Sequence, residues 1–155
     1  MPSMVHERIA AAGLSLPPVT APLAAYVPAL RTGHTIYVSG QLPFIDGQLT
    51  DHGKVGEHAG CVSPQRATEL ARYCALNALS ALAGQADLET VRILKLTGFV
   101  SSDPGFTGQP AVIDGASEFL GEVLGEHGRH ARSAVGVAVL PLDVPVELEL
   151  IAAVL

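Results

Sequence analysis

The residue pattern predicts an α+β domain with one mostly antiparallel, mixed sheet, two main helices packed on one face of it, and a short helix at the N-terminus. Two observations carry this expectation. Two long runs hold apolar residues at helical spacing, and the segments before, between and after them are strand-length, alternating or rich in β-branched residues. Each helix follows strands and has to return its apolar face to them, which makes a two-layer arrangement. With 155 residues, 48% of them hydrophobic, the chain is long enough for one core and short for two ordinary domains. Residues 1–155 are therefore expected as a single domain, with 1–20 as an N-terminal extension.

The elements follow in order. His6 to Ala12 sets charge against Ile9 and Ala12, a short helix closed by Gly13. Leu16-Pro17-Pro18 imposes an extended connection. Thr32-Gly33 signals a hairpin between strands at Tyr26 to Leu30 and His34 to Ser39. The stretch 46–60, rich in Gly, His and Asp, has no periodicity and reads as a long loop or ragged hairpin. Ser63-Pro64 opens the longest helix, whose core face is Ala67, Leu70, Ala71, Cys74, Ala78 and Leu82, and Gly84 ends it. Val91 to Val100 reads as a central strand, broken after it by Pro104-Gly105. A second helix opens near Pro110, buries Val112, Ala116, Phe119, Leu120 and Val123, and stops at Gly128. Two strands, Ser133 to Leu140 and Val146 to Val154, close the chain. In the first of them Ala134, Gly136 and Ala138 make a small-residue face opposite Val135, Val137 and Val139. That small face is expected to be covered by self-association.

Composition excludes several classes. A net charge of −6 with only nine Lys and Arg offers no field for a phosphate backbone, so nucleic acid is not an expected partner. The two cysteines, Cys61 and Cys74, read as ordinary thiols rather than a disulfide framework. No apolar run is long enough to span a bilayer, so a cytoplasmic location without membrane association is expected. His52, His58, Cys61, His127 and His130 lack a second fixed ligand pair, so no metal is expected.

Tyr37-Val38-Ser39-Gly40-Gln41-Leu42-Pro43, and the run from Arg132-Ser133 through a Val-rich strand to Leu140-Pro141 and Val146-Glu147-Leu148-Glu149, resemble the motifs of the RidA/YjgF family. The resemblance covers Tyr26 to Val154. It implies a chorismate-mutase-like fold, a homotrimer with clefts between subunits, and hydrolysis of reactive enamines and imines such as 2-aminoacrylate to 2-oxo acids and ammonia, with no cofactor. It further implies a small carboxylate as the substrate. The alternative reading is a non-catalytic trimeric module that binds small carboxylates or 2-oxo acids.

The same resemblance supplies the site residues. Arg132 matches the arginine that holds the substrate carboxylate, a task suited to a planar guanidinium. Its competing reading is an arginine that caps the second helix or pairs with a surface acid. Glu147 matches a glutamate that orients water or shuttles a proton, against the plainer reading of an exposed strand face shared with Glu149. Tyr26 matches a cleft-lining tyrosine and otherwise reads as a core or hairpin residue. Ser39 and Gly40 match a strand end that approaches the ligand, with a plain turn glycine as the competing view. Where family members often carry Asn, this chain offers Asp114-Gly115, and either could stand in that place. Arg132 and Glu147 are thus the expected catalytic residues, and Tyr26, Ser39, Gly40, Asp114, Gly115 and Arg132 the expected substrate contacts. No Ser nucleophile is expected, because no motif places a His beside one.

Overall fold

The computed structural model describes residues 3–19 and 25–155. The first helix, α1, spans Met4–Ala11 because Ser3, in an extended conformation, accepts the His6 amide at 3.3 Å. It therefore starts before the expected His6, and Gly13 turns the chain away at φ 76°. Val5 and Ile9 are buried, the Val5 amide donates to Glu89 Oε1 at 2.7 Å, and Arg8 Nη1 donates to the Val123 carbonyl at 3.3 Å. Helix α1 is thereby docked on the rest of the chain.

Strands β1 (Ala29–Thr32) and β2 (Thr35–Gln41) form the expected hairpin, with Thr32 opposite Thr35 and Gly33 at φ 58° in the two-residue turn. β1 begins three residues later than the expected Tyr26. Pro28 has no amide hydrogen to give, and its carbonyl instead accepts the Ser39 amide at 2.9 Å. In the 46–60 segment, Asp46 and Gly47 take positive φ (49° and 77°), and the Ile45 and Gln48 backbones exchange two hydrogen bonds across that turn. Fully buried Val55 ties the segment down by donating to the Ser101 carbonyl and accepting from the Asp103 amide.

Helix α2 (Pro64–Ala83) has the expected cap, Ser63 Oγ accepting the Arg66 amide at 3.1 Å. Then follow β3 (Val91–Ser101), α3 (Gln109–Leu124), β4 (Ala131–Val137) and β5 (Val146–Val154). The second helix stops short of the expected Gly128, since Gly125 takes φ 60° and a tight 3-10 turn fills Gly125–Gly128. β4 is offset from the expected Ser133 to Leu140: it starts at Ala131 opposite Lys95 and runs out of partner at Ser101, opposite Val137.

The sheet order is β1-β2-β5-β3-β4, antiparallel except for the β3–β4 pair. α3 is the crossover between these two parallel strands. Ile36, Val38, Leu96, Val100, Leu148 and Leu150 are buried in the core that α2 and α3 complete. Tyr37, Thr97, Phe99, Glu147 and Glu149 alternate with them on the other face.

Within the chain, the small residues of β4 lie toward the helix layer rather than on a bare outer face. Ala134 packs against the core, and a Cβ on Gly136 would come within 2.7 Å of Gln109 Nε2, so this side faces the helix layer. It is the Val135 side, 42% exposed at Val135, that looks out. Small residues were needed where α3 lies close. A Cβ on Gly98 would sit 2.5 Å from Ile113 Cδ1, and a Cβ on Gly115 would sit 2.1 Å from the Thr68 carbonyl oxygen. Replacing a helix-interior Gly by Ala normally stabilises by about 1 kcal/mol. At Gly115 the backbone clash outweighs that gain, and Gly115→Ala is expected to lose about 1–3 kcal/mol in urea unfolding, whereas Gly121→Ala, where nothing lies within 4 Å, should gain stability.

Candidate functional site

Arg132 belongs to β4, in register with Leu96, and so points to the helix side. Its Nη1 donates to Asp114 Oδ1 at 2.7 Å and to Ser117 Oγ at 3.2 Å, and its Nη2 to the Pro110 carbonyl at 3.3 Å. Asp114 and Ser117 are one turn apart on α3, so both can reach the same guanidinium. The pairing with an acid, Asp114 being 51% exposed against 23% for Arg132, is one of the two plain readings the sequence allowed. Of the pair Asp114-Gly115, it is Asp114 that meets Arg132, while Gly115 is turned to α2.

The hydrogen-bond chain continues. Ser117 Oγ lies 2.9 Å from His130 Nε2, and His130 Nδ1 lies 2.6 Å from the Gly128 carbonyl. A carbonyl can only accept, so Nδ1 carries a hydrogen, and in the neutral ring Nε2 is left to accept the Ser117 hydroxyl. Ser117, Gly121, Gly128, Arg129, His130 and Arg132 line an open concavity of about 320 Å³. Sequence reasoning weighed His130 only as a metal ligand and passed over Ser117. The available signal was spacing: Ser117 follows Asp114 by three on a helix, and His130 precedes Arg132 by two at a strand start.

The remaining expected residues lie on the opposite sheet face. Val38 pairs with Leu150 and Gln41 with Leu148, so Ser39 and Gly40 share the space opposite Glu149 in a β-bulge. Ser39 Oγ donates to the Val27 carbonyl at 2.6 Å, which holds the segment carrying Tyr26. Tyr26, Tyr37, Ser39, Lys95, Thr97 and Glu149 are among the residues around a concavity of about 520 Å³. Tyr26 is 61% exposed, so it is not a core residue. Gly40 is more than a turn glycine, because a Cβ there would lie 2.0 Å from Glu147 Oε1. Glu147 is half-buried beneath it, and burial, reinforced by the charge of Glu149, pushes its carboxyl above the usual carboxylate range.

Within one chain, then, Arg132 and Asp114 stand on one side of the sheet and Tyr26, Ser39, Gly40 and Glu147 on the other. Of the other candidate ligands, His58 Nε2 is 3.2 Å from Asp103 and His52 Nδ1 is 2.9 Å from the Leu142 carbonyl. Cys61 and Cys74 are free thiols, Cys74 buried. Arg66 hydrogen-bonds Asp51 and holds its carboxyl below the usual range. Among the described residues no helix is long and apolar enough to cross a membrane.

A five-stranded mixed sheet with α3 crossing between its parallel strands, and an arginine at the edge strand beneath that helix, define a small α+β class of the chorismate-mutase type. The family model described as "YjgF/chorismate_mutase-like, putative endoribonuclease" matches residues 6–154, and the chain belongs to that family, YjgF/RidA. It is 43% identical over 140 residues to Protein TCP17 of Trypanosoma cruzi, covering 88% of this chain and 86% of that protein. The crystal structure of Atu1372 of Agrobacterium tumefaciens, a protein of unknown function, superposes with a TM-score of 0.88 at 40% identity, over 97% of this chain and 93% of that one. That of E. coli TdcF with bound serine superposes with a TM-score of 0.59 at 25% identity, over 85% and 90% of the two chains. The family and fold expected from the motifs are thus those observed.

Replacing Glu147 by Gln removes a charge that burial and Glu149 oppose. Because its folded pKa is raised, the folded state holds the proton more tightly, and stability falls as pH rises through that raised value. Glu147→Gln is therefore expected to raise Tm at neutral pH by on the order of 1 °C, after allowance for solvent screening. In thermal melts the difference should shrink as pH is lowered and Glu147 becomes protonated.

Proposed function

We propose that the protein hydrolyses reactive enamines and imines of the 2-aminoacrylate type to 2-oxo acids and ammonia, without a cofactor, as a homotrimer whose sites lie between subunits. The observation that carries the reading is Arg132, which lines a concavity with part of its side chain open to solvent. A guanidinium so held fixes the carboxylate of a small substrate and leaves the adjacent enamine carbon and nitrogen facing the cavity. That TdcF, at 25% identity, has been crystallised with serine, a small molecule bearing a carboxylate, agrees with this substrate class. Asp114 is a complication in the reading: its carboxylate already engages Arg132, which favours a ligand able to make further contacts.

Glu147 enters from the neighbouring subunit. Since it lies on the sheet face away from Arg132, the two serve one substrate only when one copy presents its open face, with Tyr26, Ser39 and Gly40, to the Arg132 side of the next. Glu147 then orients the attacking water, a role helped by a carboxyl that binds its proton more readily than an exposed one. The binding-module alternative has one observation in its favour, the same Asp114–Arg132 pair, which opposes rapid exchange of a substrate carboxylate.

Pyruvate release from 2-aminoacrylate, generated in situ by a dehydratase, tests the reading. The wild type should accelerate it over the uncatalysed rate, and Arg132→Ala should lose about 10- to 100-fold in kcat/KM, the worth of a charge-assisted hydrogen bond. Thermal protection by 2-oxo acids with no acceleration would replace the enzyme by the binding module. Subunit mixing checks the shared site: Arg132→Ala and Glu147→Gln chains, refolded together in equal amounts, should recover about one quarter of wild-type activity, since a mixed trimer restores one of its three interfaces. No recovery would confine the two residues to a single chain.

A further inference from the structure

The Arg132 concavity contains a hydroxyl–imidazole pair to which carboxylate binding by Arg132 and water orientation by Glu147 assign no role. Ser117 Oγ stands between two partners, Arg132 Nη1 at 3.2 Å and His130 Nε2 at 2.9 Å, and the imidazole is held from behind by the Gly128 carbonyl at 2.6 Å. This is the arrangement that activates a hydroxyl for proton transfer: a base within hydrogen-bond reach, itself oriented by a third group, and a cation beside the oxygen that steadies negative charge there. The surroundings hold the geometry. Ser117 is on the third turn of α3, fixed by the close approach of Gly115 to Thr68, and Gly128 lies against Leu120, where a Cβ would meet its carbonyl oxygen at 2.2 Å. Both polar side chains line the same concavity as the guanidinium.

We propose that Ser117, in concert with His130, is the proton donor and acceptor of the Arg132 site, a role that rests on the deaminase reading above. With the substrate carboxylate on Arg132, the imidazolium form of His130 gives its Nε2 proton to Ser117 Oγ as the Ser117 hydroxyl proton passes to C3 of the enamine. The C2–C3 π pair becomes the new C3–H bond, and the nitrogen lone pair closes a C2=N iminium. Water adds to C2, and the proton it releases returns through Ser117 to His130 Nε2. In the carbinolamine the hydroxyl proton is carried to nitrogen by the same serine, the C–N bond breaks, and ammonia and the 2-oxo acid leave. Enamine and water are consumed, and the imidazolium is regenerated. Through every step Nδ1 keeps its hydrogen and its bond to Gly128, so only Nε2 exchanges a proton.

The full-length wild type, Ser117→Ala, His130→Ala and His130→Gln are compared by steady-state release of pyruvate from 2-aminoacrylate, with and without added imidazole, alongside thermal melts. The relay requires a fall in kcat of about 100-fold in all three variants with KM changed less than about threefold, because the carboxylate anchor is intact. His130→Gln retains an acceptor for the Ser117 hydroxyl but cannot carry the proton, so it should fall as far as His130→Ala. Imidazole should restore turnover in His130→Ala and leave Ser117→Ala unchanged. Inactive wild type would remove the deaminase reading and the relay with it. Active wild type with undiminished variants would remove the relay alone, as would a loss in His130→Ala that imidazole does not relieve.

Discussion

The rest of the structure depends on how near α3 can come to its neighbours. At Gly115 the helix backbone lies against the Thr68 carbonyl, and at Gly98 the strand beneath it has given up its side chain to Ile113. Both contacts are closer than any Cβ would allow, so the helix layer is set by glycine rather than by the bulkier members of the core. That placement has a chemical result. With α3 drawn down beside β4, Asp114 and Ser117 reach Arg132 at 2.7 Å and 3.2 Å, and the polar cluster is built by the same close packing that completes the core.

The strands and helices were legible because each carried a local cause. The Ser63-Pro64 cap, the Thr32-Gly33 turn and the alternation of Val146 to Val154 all act within a few residues, and the structure contains all three. The boundaries that moved did so for reasons outside the local pattern. β4 starts and stops where β3 offers partners, and α1 starts where Ser3 can cap it. Which face of β4 was covered could not be read from the alternation of Ala134 and Val135, since period two fixes that the faces differ but not which one meets a helix.

The candidate site was open to the sequence only residue by residue. Motif resemblance pointed to Arg132, Glu147, Tyr26 and Ser39 one by one, yet it said nothing about the side of the sheet each would occupy. Glu147 is in register with Phe99 and Arg132 with Leu96, on opposite faces, so the list divides into two halves. The pairing of His130 with Ser117 was not legible because it spans a helix end, a 3-10 turn and a strand start. No single-element periodicity connects residues across such a junction. The structure joins them by routing the chain through Gly125 and Gly128, which fold the helix end back on itself.

The Asp114–Arg132 pair also sets a threshold for any ligand. A carboxylate tethered to the same fold competes at an effective concentration that a free anion in solution does not approach. A simple monoacid that offers only its own carboxylate gains nothing by exchanging places with Asp114. A molecule that shares the guanidinium while making additional contacts along the concavity escapes that competition. If Arg132 takes a carboxylate as proposed, the internal acid is a filter against small anions, and affinity is reserved for compounds recognised at more than one point.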